Sequence, residues 1–356
     1  MPGKKFSTFN PFKIGALTAK NRLVRSATFE FAADNGRVTA PFINHYRELA
    51  EGGVGLIISG MAAIRPGAAV GPIQLDVSNP NFCQDLAQVI QFTKERQALF
   101  FVQLNHAGYR TGWPRGDRLG VMAKQEGETF FQMATAEDLK AIALDFAKAA
   151  RNCREGGADG VQIHAAHGFL ISSFLSPYFN QRSDAYGGPM ANRGRLLREV
   201  LAAIRAAVGP DYPVGVKLHF NDGVNPSTTP DECLELCQSL VKEGLDLIEV
   251  SSGVNGGGGS DSYSPLSREE GYFQAGAAYL AARLSVPVVS VGGYRTLDFI
   301  EKTLNDTAIA AVAMCRPYIR EPDLPRRWEL TDPSPAFCVS CNRCFRSKDV
   351  ISCLAV

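Results

Sequence analysis

The sequence predicts an α/β protein of the closed (β/α)8-barrel type. Eight short runs rich in β-branched residues recur along the chain, with ends marked by glycine or proline. Segments with the apolar spacing of a helix lie between these runs, so strand and helix alternate throughout. Strands that are almost wholly apolar indicate a parallel sheet covered by helices, and eight strand–helix units can close into a barrel.

The predicted strands are apolar runs of similar length. They lie in NRLVRSA from Asn21, VGLIISG from Val54, ALFFVQL from Ala98, DGVQIHA from Asp159, YPVGVKL from Tyr212, LDLIEVS from Leu245, VPVVSVGG from Val286 and AIAAVAM from Ala308. The predicted helices lie between them, in a segment that starts near residue 40 and in 81–96, 136–155, 192–208, 230–243, 270–284 and 297–304. The longer connections, roughly 107–134 and 169–190, are expected to be loop insertions over one face of the barrel.

An open, doubly wound sheet is the alternative arrangement of such alternating elements. We find no Gly-x-Gly-x-x-Gly between the first strand and a helix, so the main signal for a dinucleotide-binding open sheet is missing. The length of 356 residues is compatible with one large barrel. We therefore predict a single barrel over residues 1–330, followed by a cysteine-containing tail over residues 331–356 that packs on the barrel or extends from it.

The composition is that of an ordinary globular protein. Apolar residues make up 45%, charged residues 21%, and the formal net charge is +1, so neither disorder nor a broad attraction to nucleic acid is indicated. No apolar run follows the two lysines near the N-terminus, and no stretch is long enough to span a membrane. These features predict a cytoplasmic protein whose partner is a small molecule, without nucleic acid or membrane as partners.

Candidate site residues stand at the carboxyl ends of the predicted strands, where barrel enzymes place their chemistry. In strand order they are Ser26, Ala27 and Thr28; Gly60 and Met61; Gln103 and His106; His164 and His167; Lys217; Ser251, Ser252 and Gly253; Gly292 and Gly293; and Cys315 with Arg316. The last two groups follow strands seven and eight, where barrels often bind phosphate through backbone N–H groups and a cation. The alternative is a tight glycine turn beside a solvated arginine.

Lys217 and the two histidines allow several roles on their residue types alone. Lys217 is compatible with an exposed strand end, a Schiff-base nucleophile or a fixed cation beside an anionic ring. His164 and His167 are three residues apart, a spacing that suits two imidazoles converging on one ligand oxygen. Metal ligation is the alternative for the pair, although no third ligand with an obvious spacing stands nearby, and one histidine could instead belong to the core.

Several long strings of this sequence resemble segments of the Old Yellow Enzyme family. They are LTAKNRLVRSAT from Leu17, HYRELAEGGVGLIISG from His45, FVQLNHAG from Phe101 and IHAAHGFLISSFLSPYFNQRSDAYGGPMANRGRLLREV from Ile163. VGVKL, the VGG at Val291 and RPYIREPDLP at Arg316 continue the match, which runs from about residue 11 to residue 325. The resemblance implies bound FMN, reduction by NADH or NADPH, and hydride transfer to a C=C bond conjugated with a carbonyl or similar group.

The resemblance also implies roles for individual residues. Groups around Ser26, Ala27 and Thr28, with Gln103, would hold the flavin ring edge, and Gly60 and Met61 would border the ring. Lys217 would be a cation beside the ring, stabilising negative charge on its reduced form. The FMN phosphate would lie at Gly292, Gly293, Cys315 and Arg316, where Cys315 replaces the family's usual glycine. Ser252 and Gly253 are also expected to bind the cofactor.

The substrate side follows the family in the histidine pair and departs from it nearby. His164 and His167 would bind the substrate oxygen and polarise it as negative charge develops there. The family's usual proton-donating tyrosine is Phe169 in this chain, and a phenyl ring carries no transferable proton. Tyr109 or water is the candidate replacement, and Phe29 and Phe169 are expected to contact the substrate.

Four cysteines near the C-terminus form a candidate metal site. Cys338, Cys341, Cys344 and Cys353 have two, two and eight intervening residues, and four thiolates can bind zinc or an iron–sulfur cluster. The pattern resembles the cluster motif of the long 2,4-dienoyl-CoA reductase branch, with shorter spacing. Reduced thiols without metal are the alternative.

Two other functions are kept beside the flavin oxidoreductase. One is a phosphate-binding barrel lyase that uses Lys217 as a Schiff base, and the other is a non-catalytic flavin or iron–sulfur electron carrier. Oxidoreductases of this family commonly associate, so a homo-oligomer is expected by analogy.

Overall fold

The fold is built around a closed barrel of eight parallel strands. The structure is a computed structural model that describes residues 6–111, 116–254, 269–347 and 350–355. The barrel strands are β1 (Leu23–Arg25), β2 (Leu56–Ala63), β3 (Leu99–Asn105), β4 (Gly160–Ala165), β5 (Val214–His219), β6 (Leu247–Ser251), β7 (Val288–Val291) and β8 (Ala311–Met314). Each strand pairs in parallel with the next along the chain, and β8 pairs with β1 to close the ring. The predicted (β/α)8 barrel is confirmed.

Helices follow the strands and cover the outside of the barrel. They are α1 (Ala40–Glu51), α2 (Phe82–Glu95), α3 (Ala136–Glu155), α4 (Leu170–Leu175), α5 (Met190–Arg193), α6 (Arg195–Val208), α7 (Pro230–Lys242), α8 (Gln274–Ala281), α9 (Leu297–Asp306), α10 (Arg316–Arg320) and α11 (Leu324–Leu330). Capping boxes at Thr135 and Thr229 fix where α3 and α7 begin, because each threonine and the acidic residue three positions later satisfy each other's backbone N–H groups. The segment predicted as one helix over 192–208 is interrupted at Gly194, which ends α5 and precedes α6.

Two buried apolar clusters hold the barrel. The larger one joins the outer faces of the strands to the surrounding helices. The smaller one joins inward residues such as Ile58 and Phe101 to an antiparallel hairpin of two short strands, Phe12–Ile14 and Leu17–Ala19. The turn of this hairpin lies against Asp246, which directly precedes β6, so the hairpin closes the barrel at its amino end.

The two longer connections lie over the opposite, carboxyl end. The one after β3 contains a small sheet of three strands, Leu119–Gly120, Lys124–Glu126 and Thr129–Met133. Arg182, in the connection after β4, donates to the backbone carbonyls of Val121 (3.0 Å) and Ala134 (2.9 Å), and this joins the two connections. The carboxyl end is therefore the more elaborated face of the barrel.

The residues after α11 pack back onto the barrel. The N–H of Ala336 donates to the carbonyl of Arg295 (2.7 Å), and the N–H of Ile351 donates to the carbonyl of Glu30 (2.9 Å). These contacts place the C-terminal tail beside the carboxyl ends of β7, β8 and β1. In the part of the chain that the structure describes, no helix combines the length and apolar character that a membrane crossing requires.

Candidate active site

A cavity of about 230 Å³ opens at the carboxyl ends of the barrel strands. It is lined by many of the residues predicted from the strand ends. These are Ser26, Ala27, Thr28, Met61, Gln103, His164, His167, Lys217, Ser251, Gly292, Gly293, Cys315 and Arg316. Phe29 and Phe169, expected from the family resemblance to contact the substrate, also line it. Residues from all parts of the chain thus converge on one site, as the barrel topology requires.

Three predicted cofactor residues lie outside the lining of this cavity. Gly60 donates its N–H to the hydroxyl of Tyr46 (2.8 Å), and a side chain at position 60 would collide with the buried carboxylate of Glu30. Ser252 and Gly253 both donate to the carbonyl of Asn221, at 2.7 and 2.9 Å. Their small size and hydrogen bonds therefore shape the loops around the site.

Tyr109, the candidate proton donor, is not brought into the cavity either. Its hydroxyl donates to the carbonyl of Met122 (2.5 Å) and accepts from the N–H of the same residue (2.7 Å). Its ring packs edge to face on Phe131, with centroids 5.4 Å apart. Tyr109 anchors the three-stranded insertion, and the next residue, Arg110, lines the cavity in its place.

A buried chain of polar side chains lies beneath the middle of the cavity. The Lys217 ammonium lies 3.0 Å from a carboxylate oxygen of Glu249 and donates to the hydroxyl of Ser26 (2.7 Å). Gln162 donates to the other oxygen of Glu249 (2.9 Å) and accepts from the side-chain amide of Gln103 (2.7 Å). Lys217 and Glu249 are direct neighbours in the β5–β6 register. The network fixes a cation and an amide at the cavity floor.

Sequence reasoning missed Glu249 and Gln162. Both point into the barrel, and both are fully buried. The available signal was a charged or amide residue inside an otherwise apolar strand, in LDLIEVS and DGVQIHA. Such residues are rarely buried without a partner, so each predicts a polar partner on a neighbouring strand.

His164 and His167 lie together in the cavity wall. Their ring centroids are 5.3 Å apart, and Nε2 of His167 lies 2.8 Å from the hydroxyl of Ser251. Burial, followed by the nearby positive charge of Lys217, lowers the pKa of His164 well below its ordinary value. Burial and the neighbouring His164 do the same for the pKa of His167. Both imidazoles are therefore neutral near pH 7, and each carries one N–H donor.

A second hydrogen-bonded group holds the loop that carries His167. His167 has a positive φ of 63°, an uncommon backbone conformation for a residue other than glycine. The N–H of Gly168 donates to the hydroxyl of Ser172 (3.0 Å), and this hydroxyl lies 3.3 Å from Nδ1 of His219. Nε2 of His219 lies 2.9 Å from the Asp222 carboxylate. Buried contacts thus impose the loop conformation that aims His167 at the cavity.

The carboxyl ends of β7 and β8 form a cradle of small residues beside a buried arginine. Gly292 and Gly293 have φ values of 133° and 75°, in the region that favours glycine. A Cβ at Gly293 would lie 2.6 Å from the carbonyl of Glu269. Arg316 donates to the side chains of Tyr272 (3.0 Å) and Asn342 (2.7 Å). The packing of this loop therefore requires glycine at both positions, both glycines line the cavity, and the guanidinium is fixed beside them.

The C-terminal tail contributes to this end of the cavity, which the sequence did not indicate. Ser340 and Phe345 line the cavity together with Arg295 and Tyr272. The carbonyl of Ser340 also accepts from Arg316 (3.4 Å). These residues lie far apart in the chain, so only the folded structure shows that they meet.

The four tail cysteines line a second, much smaller cavity of about 20 Å³. Burial raises the pKa of Cys344 to about 12 and also raises the pKa of Cys338. Over the residues that the structure describes, no three or more His, Cys, Asp or Glu side chains are arranged to hold a metal ion. The four thiols thus lie close together, and burial keeps those of Cys338 and Cys344 protonated.

The fold and the location of the cavity define an α/β-barrel protein with its site at the carboxyl ends of the strands. The model of the NADH:flavin oxidoreductase / NADH oxidase family matches residues 7–333. The chain therefore belongs to this family, and it is an oxidoreductase of the Old Yellow Enzyme type. The description of this family specifies a flavin and NADH.

Curated relatives match almost the whole chain. A metal reductase of Desulforamulus reducens is 34% identical over 97% of this chain, which spans only 53% of that protein. A 4,4'-dithiodibutanoate disulfide reductase of Rhodococcus erythropolis is 30% identical over 95% of this chain and 92% of its own length. The chain thus spans about half of the first relative and nearly all of the second.

Solved structures agree with the fold. A 2-naphthoyl-CoA reductase in complex with 2-naphthoyl-CoA superposes with a TM-score of 0.90 at 25% identity, over 98% of this chain and 56% of that chain. An Old Yellow Enzyme homologue from Zymomonas mobilis superposes with a TM-score of 0.78 at 24% identity, over 94% and 96% of the two chains. The expected family resemblance is confirmed.

Proposed function

We propose that this protein is an FMN-dependent NAD(P)H oxidoreductase that reduces a C=C bond activated by a conjugated carbonyl group. The observation that carries the proposal is the adjacent His164–His167 pair, set in one cavity with the Lys217 cation and the glycine cradle. The arrangement provides, in one cavity, donors for a substrate oxygen, a cation for an electron-rich ring, and backbone groups with an arginine for a phosphate.

The residues present fit FMN. Gly292, Gly293 and Arg316 would hold the phosphate, because the absent side chains leave the backbone open and the guanidinium adds charge-assisted hydrogen bonds. Lys217 and Gln103 would hold the polar edge of the ring, since Glu249 and Gln162 orient them. When bound, FMN supplies hydride-transfer chemistry, with NADH or NADPH as the source of reducing equivalents.

The histidines would act on the substrate oxygen. A neutral imidazole donates one N–H, so His164 and His167 can place two hydrogen bonds on a carbonyl oxygen where negative charge develops. Phe169 packs on His164 with centroids 4.8 Å apart and offers no proton. Water would therefore supply the proton that the α-carbon takes up.

The two other functions weighed for this sequence find less support. The Lys217 ammonium is engaged by a carboxylate and a hydroxyl, which favours a fixed cation over a Schiff-base nucleophile. Family membership likewise favours an oxidoreductase over a lyase or a passive electron carrier.

Zinc or an iron–sulfur cluster at the tail cysteines is a separate expectation, which elemental analysis of anaerobically purified protein tests.

The test uses anaerobic FMN-loaded protein and visible absorbance. We expect NADH or NADPH to bleach the flavin bands, and cyclohexenone to restore them with formation of cyclohexanone. Bleaching that cyclohexenone and related enones leave unchanged would contradict the C=C assignment while leaving the flavin assignment intact. Failure to bind FMN would overturn the whole proposal.

Disulfide reduction is the second candidate, because Phe169 replaces the proton donor that carbon protonation uses. Cleavage of an S–S bond releases a thiolate, which needs no proton placed on carbon. The Rhodococcus relative, whose name specifies a dithiodibutanoate disulfide, spans nearly the same length as this chain. Thiol release from 4,4'-dithiodibutanoate, followed with a colorimetric thiol reagent, distinguishes this activity from enone reduction.

A further inference from the structure

Arg110 lines the cavity on the same side as the histidine pair. The Cζ atom of its guanidinium lies 5.2 Å from the centroid of the Phe169 ring, and that ring contacts His164. The positive charge of Arg110 also contributes to the lowered pKa of His164, after burial and Lys217. The guanidinium and the two imidazoles therefore belong to one compartment of the cavity.

The backbone around Arg110 is built to hold it there. The N–H of Gly108 donates to Nδ1 of His106 (3.1 Å). The N–H of Leu170 donates to the backbone carbonyl of His106 (3.1 Å). These bonds tie the turn after β3 to the loop after β4. A Cβ at Gly168 would lie 2.2 Å from the backbone carbonyl oxygen of Val254 and 2.8 Å from a guanidinium nitrogen of Arg110, so the guanidinium lies directly against this turn.

The other cations of the cavity already have assignments. Lys217 is engaged by Glu249, and Arg295 and Arg316 lie at the β7–β8 end, where the phosphate is proposed to bind. Arg110 follows β3, which is separated from β7 by three strands in either direction around the ring. Among the described residues that line the cavity, none is Asp or Glu. The substrate compartment thus carries a positive charge that the cofactor assignment does not use.

We infer that Arg110 binds a carboxylate of the substrate, while the carbonyl oxygen of the same molecule binds His164 and His167. The substrate class is then a conjugated carbonyl compound with a separate carboxylate group. A guanidinium suits this role because its planar donors match the two oxygens of a carboxylate. The cation–π contact with Phe169 restrains the guanidinium, which reduces the ordering that binding requires. The inference rests on the proposed function of the same site.

The test compares two ligands and three proteins. The ligands are a cyclohexenone with a carboxylate on its β-carbon and the methyl ester of the same compound. The proteins are wild type, Arg110→Gln and Arg118→Gln. Arg118 is an exposed arginine in the same connection and outside the cavity lining, so its variant controls for the loss of one positive charge.

Binding to oxidised FMN-loaded protein, without nicotinamide, is measured by calorimetry, and kcat/KM is measured with NADH or NADPH. We expect wild type and Arg118→Gln to bind the acid about tenfold or more tightly than the ester, the range of a charge-assisted hydrogen bond. Arg110→Gln should lose this preference in binding and in the acid-to-ester ratio of kcat/KM. Comparing this ratio between the three proteins cancels the difference in intrinsic reactivity between the two ligands.

The outcomes separate the inference from the function on which it rests. An unchanged acid-to-ester preference in Arg110→Gln, with cyclohexenone still reduced, overturns the carboxylate site and spares the enone reductase. Loss of the preference in Arg110→Gln alone supports the site, even if the physiological reaction is disulfide reduction. Equal loss in Arg118→Gln would show a long-range charge effect and would also overturn the site.

Discussion

At the β7–β8 end of the cavity, the site is made by backbone conformation, whereas at the β3–β4 end it is made by side chains. Gly292 and Gly293 open the first end by lacking side chains, and Arg316 is fixed by residues of the tail. The second end depends on the hydrogen bonds behind His167 and on Arg110. We therefore expect cofactor binding to be sensitive to any change in the backbone shape at the β7–β8 end. Substrate choice should depend on which side chains line the β3–β4 end.

The largest effect should come from removing both histidines, which tests whether the two ends are independent. The double variant His164→Ala/His167→Ala is expected to lower kcat/KM for cyclohexenone by about 10² to 10³, because two donors to the developing oxyanion are lost. FMN affinity, measured by fluorescence on release, should stay at the wild-type value. Impaired FMN retention would show that the ends are coupled.

A smaller but still large effect is expected from a methyl group in the glycine cradle. Gly293→Ala should weaken FMN binding by about tenfold or more, because the methyl group would meet the Glu269 carbonyl and the φ of 75° disfavours alanine. Gly188→Ala is the matched control, since Gly188 has a φ of 84° and nothing within 4 Å of an added Cβ. Equal FMN affinity in the two variants would remove the cradle from the phosphate site.

Phe169→Tyr sharpens the comparison at the substrate end. We expect the rate of cyclohexenone reduction to rise several-fold if water otherwise protonates the α-carbon. A phenol held at the site is a better proton donor than bulk solvent. The rate of disulfide reduction should not change. A variant without gain on enones and with unchanged disulfide turnover would favour the second candidate function.

The smallest expected effect is that of pH. The pKa values of His164 and His167 are lowered, so each becomes protonated only well below the ordinary histidine value. The kcat/KM for a neutral enone should therefore show no histidine titration between about pH 6 and pH 8. An ionisation near pH 6.5 that disappears in the double histidine variant would contradict neutral donors held in place by burial.

The sequence predicted the barrel well because all eight strands are short apolar runs with clear ends. It also placed most of the lining residues, since parallel strands bring their carboxyl ends to one side. Tyr109 could not be excluded from sequence, because whether its ring faces the cavity or the insertion depends on the contact with Met122. Gly60 likewise matches a position that borders the ring in the family. In the structure, its lack of a side chain leaves room for the buried carboxylate of Glu30.

The residues that were missed share a physical reason. Arg110, Tyr272 and Ser340 reach the cavity from connections and from the tail, and no periodicity of apolar residues predicts where such segments fold back. Glu249 was visible as a charge inside an apolar strand, but its partner Lys217 is identified only through the register of β5 and β6. Strand order and register, which carry these pairings, require the three-dimensional structure.

The contacts of the tail also bear on the order in which the protein matures during synthesis. The last barrel strand is complete at Met314, whereas Asn342, which orients Arg316, is translated 28 residues later. The ring of strands can therefore close on the ribosome while the phosphate end of the site is still unfinished. The proposed FMN site would then reach full affinity only after residue 342 has left the ribosome, and a nascent chain arrested earlier would carry a folded barrel that binds FMN more weakly.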